Sequence, residues 1–455
     1  MTALLRSFPL AALILGTATA EPFRIKVVDQ ENGWPVPLVT LTTTHHASFV
    51  TDNAGVIAID LPELMDRETW FGIRSDGYEV SKDGFGYRGV RLTPTAGGSA
   101  RVEVKRTIIA KRLGRLTGAG IFSESQKLGE HLDWEESGIF GCDSVQIAIH
   151  QGKRFWAWGD SNLARYPLGI FDMSSATTSL RPLEKFEPPI KIEFEYFRDD
   201  RGAPCGVADM AGEGPTWLNG YISLPDRAGK PHLVATYTKI RGFLDAYQVG
   251  LCVWDERAER FKSLRRLWEK SDQTPEPPIV PGGHPVLWTD ADGKRWALFG
   301  DPFPKLKMPA TFEAWKDPTQ WKPLTPQPDL VSAKDGAKIK PHRGSIAWND
   351  YREKWVTVFT QQHGAPSPLG ELWYAEATAP TGPWGKAVKV LSHADYSFYN
   401  PRLHPDLTPA GSKILLFEGT YTKLFSKVQT ATPRYEYNQI LYRLDLDDPA
   451  LESAH

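Results

Sequence analysis

The chain has 455 residues, 41% of them hydrophobic and 24% charged, with a formal net charge of −2. That length calls for more than one core. Without a basic block, nucleic acid and anionic membranes drop out as partners, and three cysteines (Cys142, Cys205 and Cys252) in neither CxxC nor zinc-ligand spacing exclude a disulfide scaffold and a zinc site.

Residues 1–20, "MTALLRSFPLAALILGTATA", place Arg6 before a short apolar stretch and end on Ala18-Thr19-Ala20. This is the pattern of a cleaved secretory leader, too short to span a bilayer, so the expectation is an exported, periplasmic or extracellular protein. In that compartment a Cys205–Cys252 bridge and three buried thiols both stay open.

Residues 22–105 read as a small β-sandwich. "FRIKVVD" alternates as a strand, "ENGWPVPLVTLTT" gives a turn and a strand, "FVTDNAGVIAIDLP" a hairpin and "FGIRSDGYEV" a further strand. Residues 106–140 are polar and mixed, and read as a connector lying against the next unit.

From residue 141 to 450 the chain repeats in order. The units open near "GCDSVQIAIHQGKRFWAWGD", "GPTWLNGYISLPDRAGKPHLVATYT", "GGHPVLWTDADGKRWALFGD", "HRGSIAWNDYREKWVTVFTQ" and "YNPRLHPDLTPAGSKILLFEGTY". Each has a polar opening, a strand, a turn and a second apolar strand, and further strand-like runs follow. Five such units predict an all-β chain: a β-sandwich followed by a five-bladed β-propeller.

In a blade the start of the innermost strand and the end of its antiparallel neighbour share one face. Strand-one starts supply Asp143, Trp217, His284, His342, Arg343 and Asn400. Strand-two ends supply Asp160, Asp301 and Glu418, and a third strand opens on Glu371. These residues are expected to ring the mouth of the central channel, with Tyr399 and Tyr437 among the aromatic residues near the openings. A buried Asp also ties strands together through backbone N–H groups, so any one acid alone has two readings. The set as a whole suits a polyhydroxylated ligand, with rings against sugar C–H faces and Asp, Asn and Arg on hydroxyls.

Two resemblances add to this. The order "D…G.PVP…TD..G…GYE" resembles the carboxypeptidase-regulatory-like (transthyretin-like) domain, which implies an accessory or spacer module. The blade plan of residues 141–450 resembles the five-bladed propeller glycosidases of the arabinanase and levansucrase type, and the last blade resembles those of exported bacterial propeller proteins. The "RDP" element of the sucrose-processing members is absent, "FGDPF" being the nearest run. The resemblance implies a glycoside hydrolase acting on a polysaccharide or oligosaccharide through paired carboxylates. Asp143 occupies the place of the first catalytic carboxylate and is the expected base; Glu371, then Glu418, is the expected acid. Asp160, Trp217, His284, Asp301, His342, Arg343, Tyr399, Asn400 and Tyr437 are the expected substrate contacts. No cofactor and no metal are called for, apart from a structural calcium that the channel could hold. A polysaccharide lyase using His342, Arg343 and Tyr399 and a non-catalytic carbohydrate- or protein-binding propeller remain alternatives, and oligomeric state is left open.

Overall fold

The computed structural model describes residues 21–242 and 244–454, without the side chains of 168–172; the leader read over residues 1–20 lies outside the described residues. The chain is all-β, as expected, and its strands fall into two groups.

The first group is a sandwich. One sheet has the order Val56–Ile59, Phe23–Asp29, Ser99–Arg106, Tyr78–Glu79; the other has the order Ser48–Val50, Thr40–Thr43, Thr69–Arg74, Gly89–Leu92. Alternation places Phe23, Ile25 and Val27 of one sheet and Leu41, Phe71 and Ile73 of the other in a common core.

The second group is five sheets of the blade type. Blade 1 is split on its inner edge: Ile139–Cys142 and Gln146–His150 both pair with Lys153–Leu163, followed by Tyr166–Ser179 and Glu195–Tyr196. Blade 2 runs Thr216–Pro225, Pro231–Arg241, Asp245–Asp255, Arg260–Glu269, and blade 3 Val286–Thr289, Arg295–Gly300, Pro304–Pro309, Lys322–Pro323. Blade 4 runs Pro341–Asn349, Lys354–Gln361, Glu371–Ala377, Val388–Ser392. Apolar clusters fill the spaces between neighbouring blades; Leu251 and Val234 of blade 2, for example, pack with Phe299 and Met308 of blade 3.

Blade 5 departs from the repeat. Ser397–Leu403, Ile414–Thr422 and Asn438–Asp445 supply three strands, and Lys111–Arg115 supplies the fourth. The segment that reads as a connector therefore contributes a blade strand. Arg112, buried within it, donates to the backbone oxygens of Pro37 (3.0 Å) and Leu38 (3.1 Å) in the sandwich and to the Tyr442 hydroxyl (3.0 Å) in blade 5. Asn53 of the sandwich exchanges two hydrogen bonds of 2.9 Å with the Arg115 backbone, and the Tyr435 hydroxyl donates to Thr51 O at 2.8 Å. The sandwich is thus bonded directly to blade 5.

All three cysteines are free thiols, so the Cys205–Cys252 bridge is not formed. Cys252 is buried and its Sγ lies 3.2 Å from Ala235 O.

Candidate functional site at the propeller mouth

The inner strands break at one level. Blade 1 is interrupted between Cys142 and Gln146, and the pairing register shifts between Asn219 and Ile222, between Pro341 and Gly344, and between Tyr399 and Arg402. At this level Ser144 (φ 47°), Gly220 (φ 68°), Gly283 (φ 76°) and Asn400 (φ 50°) adopt the left-handed conformation. Glycine is required at two of these places: a Cβ on Gly220 would lie 2.6 Å from Pro281 O, and one on Gly283 would lie 1.9 Å from Gly300 O.

Each break is tied to a neighbouring blade. Gly283 N donates to Asn219 Oδ1 (2.7 Å), Gly344 N to Asp301 Oδ1 (2.7 Å), and Ser144 N to Thr420 Oγ1 (3.0 Å). The Asn400 amide reaches the Ser144 hydroxyl. These bonds satisfy backbone groups that the broken ladders leave open, and they turn the side chains beside each break toward the mouth.

Asp143 sits in the break of blade 1, half-buried. The Tyr399 hydroxyl of blade 5 donates to its Oδ2 at 2.6 Å, and the Tyr437 hydroxyl bonds the same carboxylate. Burial raises both phenols, so they remain neutral donors. Burial also raises the Asp143 carboxyl above its ordinary range, against these hydroxyls, Ser144 and the charge of Arg343.

The two Gly-Asp pairs, one inside Lys153–Leu163 and one at the end of Arg295–Gly300, have separate reasons for each residue. A Cβ on Gly159 would lie 2.0 Å from Asp143 Oδ1, so the carboxylate occupies the space over this glycine; one on Gly300 would lie 1.9 Å from Phe303 O. Asp160 accepts from the Trp217 indole N–H of blade 2 at 3.0 Å. Asp301 accepts from Gly344 N and, on its other oxygen, from Arg343 of blade 4 at 3.1 Å. In both, the acid reaches the next blade. Burial raises Asp301, with Arg343 the main opposing influence.

The structure brings Asp143, Asp160, Tyr399 and Tyr437 together: both tyrosine hydroxyls bond the Asp143 carboxylate, which lies over Gly159, the neighbour of Asp160. Trp217 joins them through Asp160. Arg343, half-exposed, joins them through its charge on Asp143 and through its ion pair with Asp301. Asn400 borders them through Ser144. His342 lies beside Arg343 with its Nδ1 buried and unbonded, and burial lowers its pKa.

The remaining expected residues are held in other contacts. His284 is buried, and its Nδ1 accepts from Arg402 at 2.9 Å. Burial, then the Arg402 charge, holds its pKa well below the usual histidine range. Glu371 is also buried; it ion-pairs with Lys389 on the outer strand of its own blade and accepts from Ala365 N at 3.2 Å. Glu418 has no exposed surface and lies 3.6 Å from the equally buried His404. No described contact brings either glutamate to Asp143. Glu371 opens its strand, Glu371–Ala377, but Glu418 lies in the middle of Ile414–Thr422 and not at its end, and burial with local pairing withdraws both carboxylates from solvent. Two further aromatic residues near the openings of blade 5, Tyr421 and Tyr435, bond Asp76 and Thr51 of the sandwich.

Among the described residues no group of three or more His, Cys, Asp or Glu side chains is placed to hold a metal ion.

Sequence reasoning missed Ser144 and Phe425. The first was legible in the Asp-Ser opening of blade 1. Phe425 lies in an irregular segment between two blade strands, where no period marks it.

No family profile matches the chain, and no curated protein does. Among solved structures it is similar to an exo-1,5-α-L-arabinanase from a bovine ruminal metagenomic library, at 10% identity and TM-score 0.39, covering 68% of this chain and 94% of that one. It is similar to an exo-β-1,3-galactanase from Phanerochaete chrysosporium solved with galactose, at 11% identity and TM-score 0.39, covering 68% of this chain and 61% of that one. An N-acetylgalactosamine deacetylase from F. plautii, solved with blood group B trisaccharide, matches at 12% identity and TM-score 0.35, over 68% and 91%.

Proposed function

We propose that this chain is a glycoside hydrolase acting on a polysaccharide or oligosaccharide at the propeller mouth. The observation that carries the reading is that two carboxylates of one blade stand together: Asp143, bonded by the Tyr399 hydroxyl at 2.6 Å, lies over Gly159, the residue next to Asp160. Glycoside hydrolysis needs one carboxyl group to protonate the leaving oxygen and one carboxylate to activate water or attack the sugar. Asp143 is the base: its burial makes it a stronger proton acceptor than an ordinary carboxylate, and Tyr399 orients it. Asp160 takes the part of the acid, in place of Glu371 and Glu418, which are committed to Lys389 and buried against His404. Arg343, half-exposed beside Asp301, and Trp217, held by Asp160, are the substrate contacts at the rim.

Tyr399, one of the two bases a lyase would draw on, is bonded to Asp143 with its phenol held well above the usual range, which leaves His342 as the base of that alternative. Export, from the leader of residues 1–20, and a spacer role for the sandwich belong to the same proposal.

The test screens reducing-sugar release and absorbance near 235 nm over plant, algal and bacterial polysaccharides, for the wild type, Asp143→Asn and Asp160→Asn. Reducing ends without absorbance, lost in both variants, support the hydrolase. An unsaturated, absorbing product would replace it with the lyase. Glycan binding without turnover would leave a binding propeller.

A further inference from the structure

Beyond the carboxylates, the mouth carries an aromatic side chain that packing does not explain. Phe425 is 62% exposed and its backbone is left-handed, at φ 59°. A bulky residue rarely adopts that conformation, and such strain persists only where surrounding bonds over-determine it.

Those bonds are present. Ser426 N and Oγ both donate to Lys423 O, at 3.1 and 2.6 Å, Leu424 N donates to Thr422 Oγ1 at 3.1 Å, and Val428 N to Ser426 Oγ at 3.2 Å. Lys423 N donates to the Glu436 carboxylate at 3.0 and 3.2 Å, and Thr422 Oγ1 donates to the same carboxylate at 2.6 Å. The turn is held at both ends, and Phe425 stands at its tip.

The ring is not placed at random. Its centroid lies 5.7 Å from that of Tyr399, at 79°, and Tyr399 is the residue whose hydroxyl bonds Asp143. Edge contact with a buried, bonded ring fixes the orientation of Phe425 while most of its surface stays open to solvent.

We infer that Phe425 is a stacking platform for the apolar C–H face of a sugar ring, in the subsite beside Asp143. The inference rests on the hydrolase reading, and it names the ligand chemistry at that rim: a pyranose or furanose ring whose hydroxyls turn toward the carboxylates and whose C–H face covers Phe425.

The test uses the full chain and a glycan that the wild type cleaves. Phe425→Ala is expected to raise KM about tenfold with kcat within about twofold, the split expected when binding common to ground and transition states is lost. Phe425→Trp is expected to restore KM. Phe425→Asn is expected to raise KM equally while the melting temperature stays level or rises, because Asn tolerates the left-handed backbone. A KM unchanged in Phe425→Ala, with Asp143→Asn inactive on the same glycan, would overturn the platform and leave the hydrolase standing. A wild type that neither cleaves nor binds any glycan, by affinity electrophoresis on the same panel, would remove both.

Discussion

The mouth of the propeller and the interior beneath it hold similar residue types to opposite ends. At the mouth Asp143, Asp160 and Asp301 are partly open and are met by hydroxyls, an indole N–H and a half-exposed Arg343. Inside, Glu418 and His404 have no exposure, and Arg402 spends its donors on His284 Nδ1 and Ile147 O. A carboxylate's residue type does not decide its task. Depth along the strand decides whether a ligand can reach it.

The sharpest test of this contrast is Asp143→Asn, which is expected to lower kcat about 10²- to 10⁴-fold in reducing-sugar assays, with the fold intact by circular dichroism. Next is Gly159→Ala. Its added methyl would fall on Asp143 Oδ1, at 2.0 Å, and a displacement of that carboxylate is expected to cost roughly 10²-fold in kcat/KM. Activity unchanged in this variant would mean that Asp143 need not stand where it does. Glu418→Ala probes the interior instead. It opens a cavity at a buried carboxylate whose oxygens make no hydrogen bond, so denaturant melts are expected to show about 2 kcal/mol of lost stability, with kcat per folded molecule nearly unchanged. A large loss of kcat there would erase the distinction.

The smallest expected effect is on pH. Because burial raises Asp143, the folded chain keeps that proton where the unfolded chain has lost it. Its contribution to stability is full below the ordinary carboxylate range and falls away as pH rises through the raised value. Thermal melts between about pH 4 and pH 7 are expected to lose part of that slope in Asp143→Asn, the rest coming from groups such as Asp301, raised in the same way. The acid limb of the wild-type kcat/KM profile should likewise lie above the ordinary carboxylate range.

The fold was largely legible because its units are local. An apolar strand, a turn and a second apolar strand recur within each blade, and the alternation of "FRIKVVD" marks the sandwich. The fourth strand of blade 5 was not, since "KRLGR" is five residues in a polar stretch whose partners lie near residue 442, and long-range pairing leaves no period. The site was legible in part. Strand-one starts and strand-two ends pointed to Asp143, Asp160, Asp301 and Arg343, because antiparallel register dictates a shared face. The same reasoning could not give depth, so Glu371 and Glu418 were placed with them. Nor could it separate Tyr437, which faces Asp143, from Tyr435 two residues earlier, whose hydroxyl reaches Thr51 of the sandwich.

The borrowed strand Lys111–Arg115 bears on how the ring is made. Arg112 and Tyr442 are 330 positions apart in the chain and 3.0 Å apart in space. During synthesis the sandwich and the strand it carries emerge before any blade, and the strand's partner, Asn438–Asp445, emerges among the last residues. Until then the ring cannot fasten, and blade-edge N–H and C=O groups stay open to pairing with other chains. The sandwich therefore acts as the buckle of the propeller: a chain beginning at residue 139 would carry every inner strand of the mouth and still lack the piece that closes it.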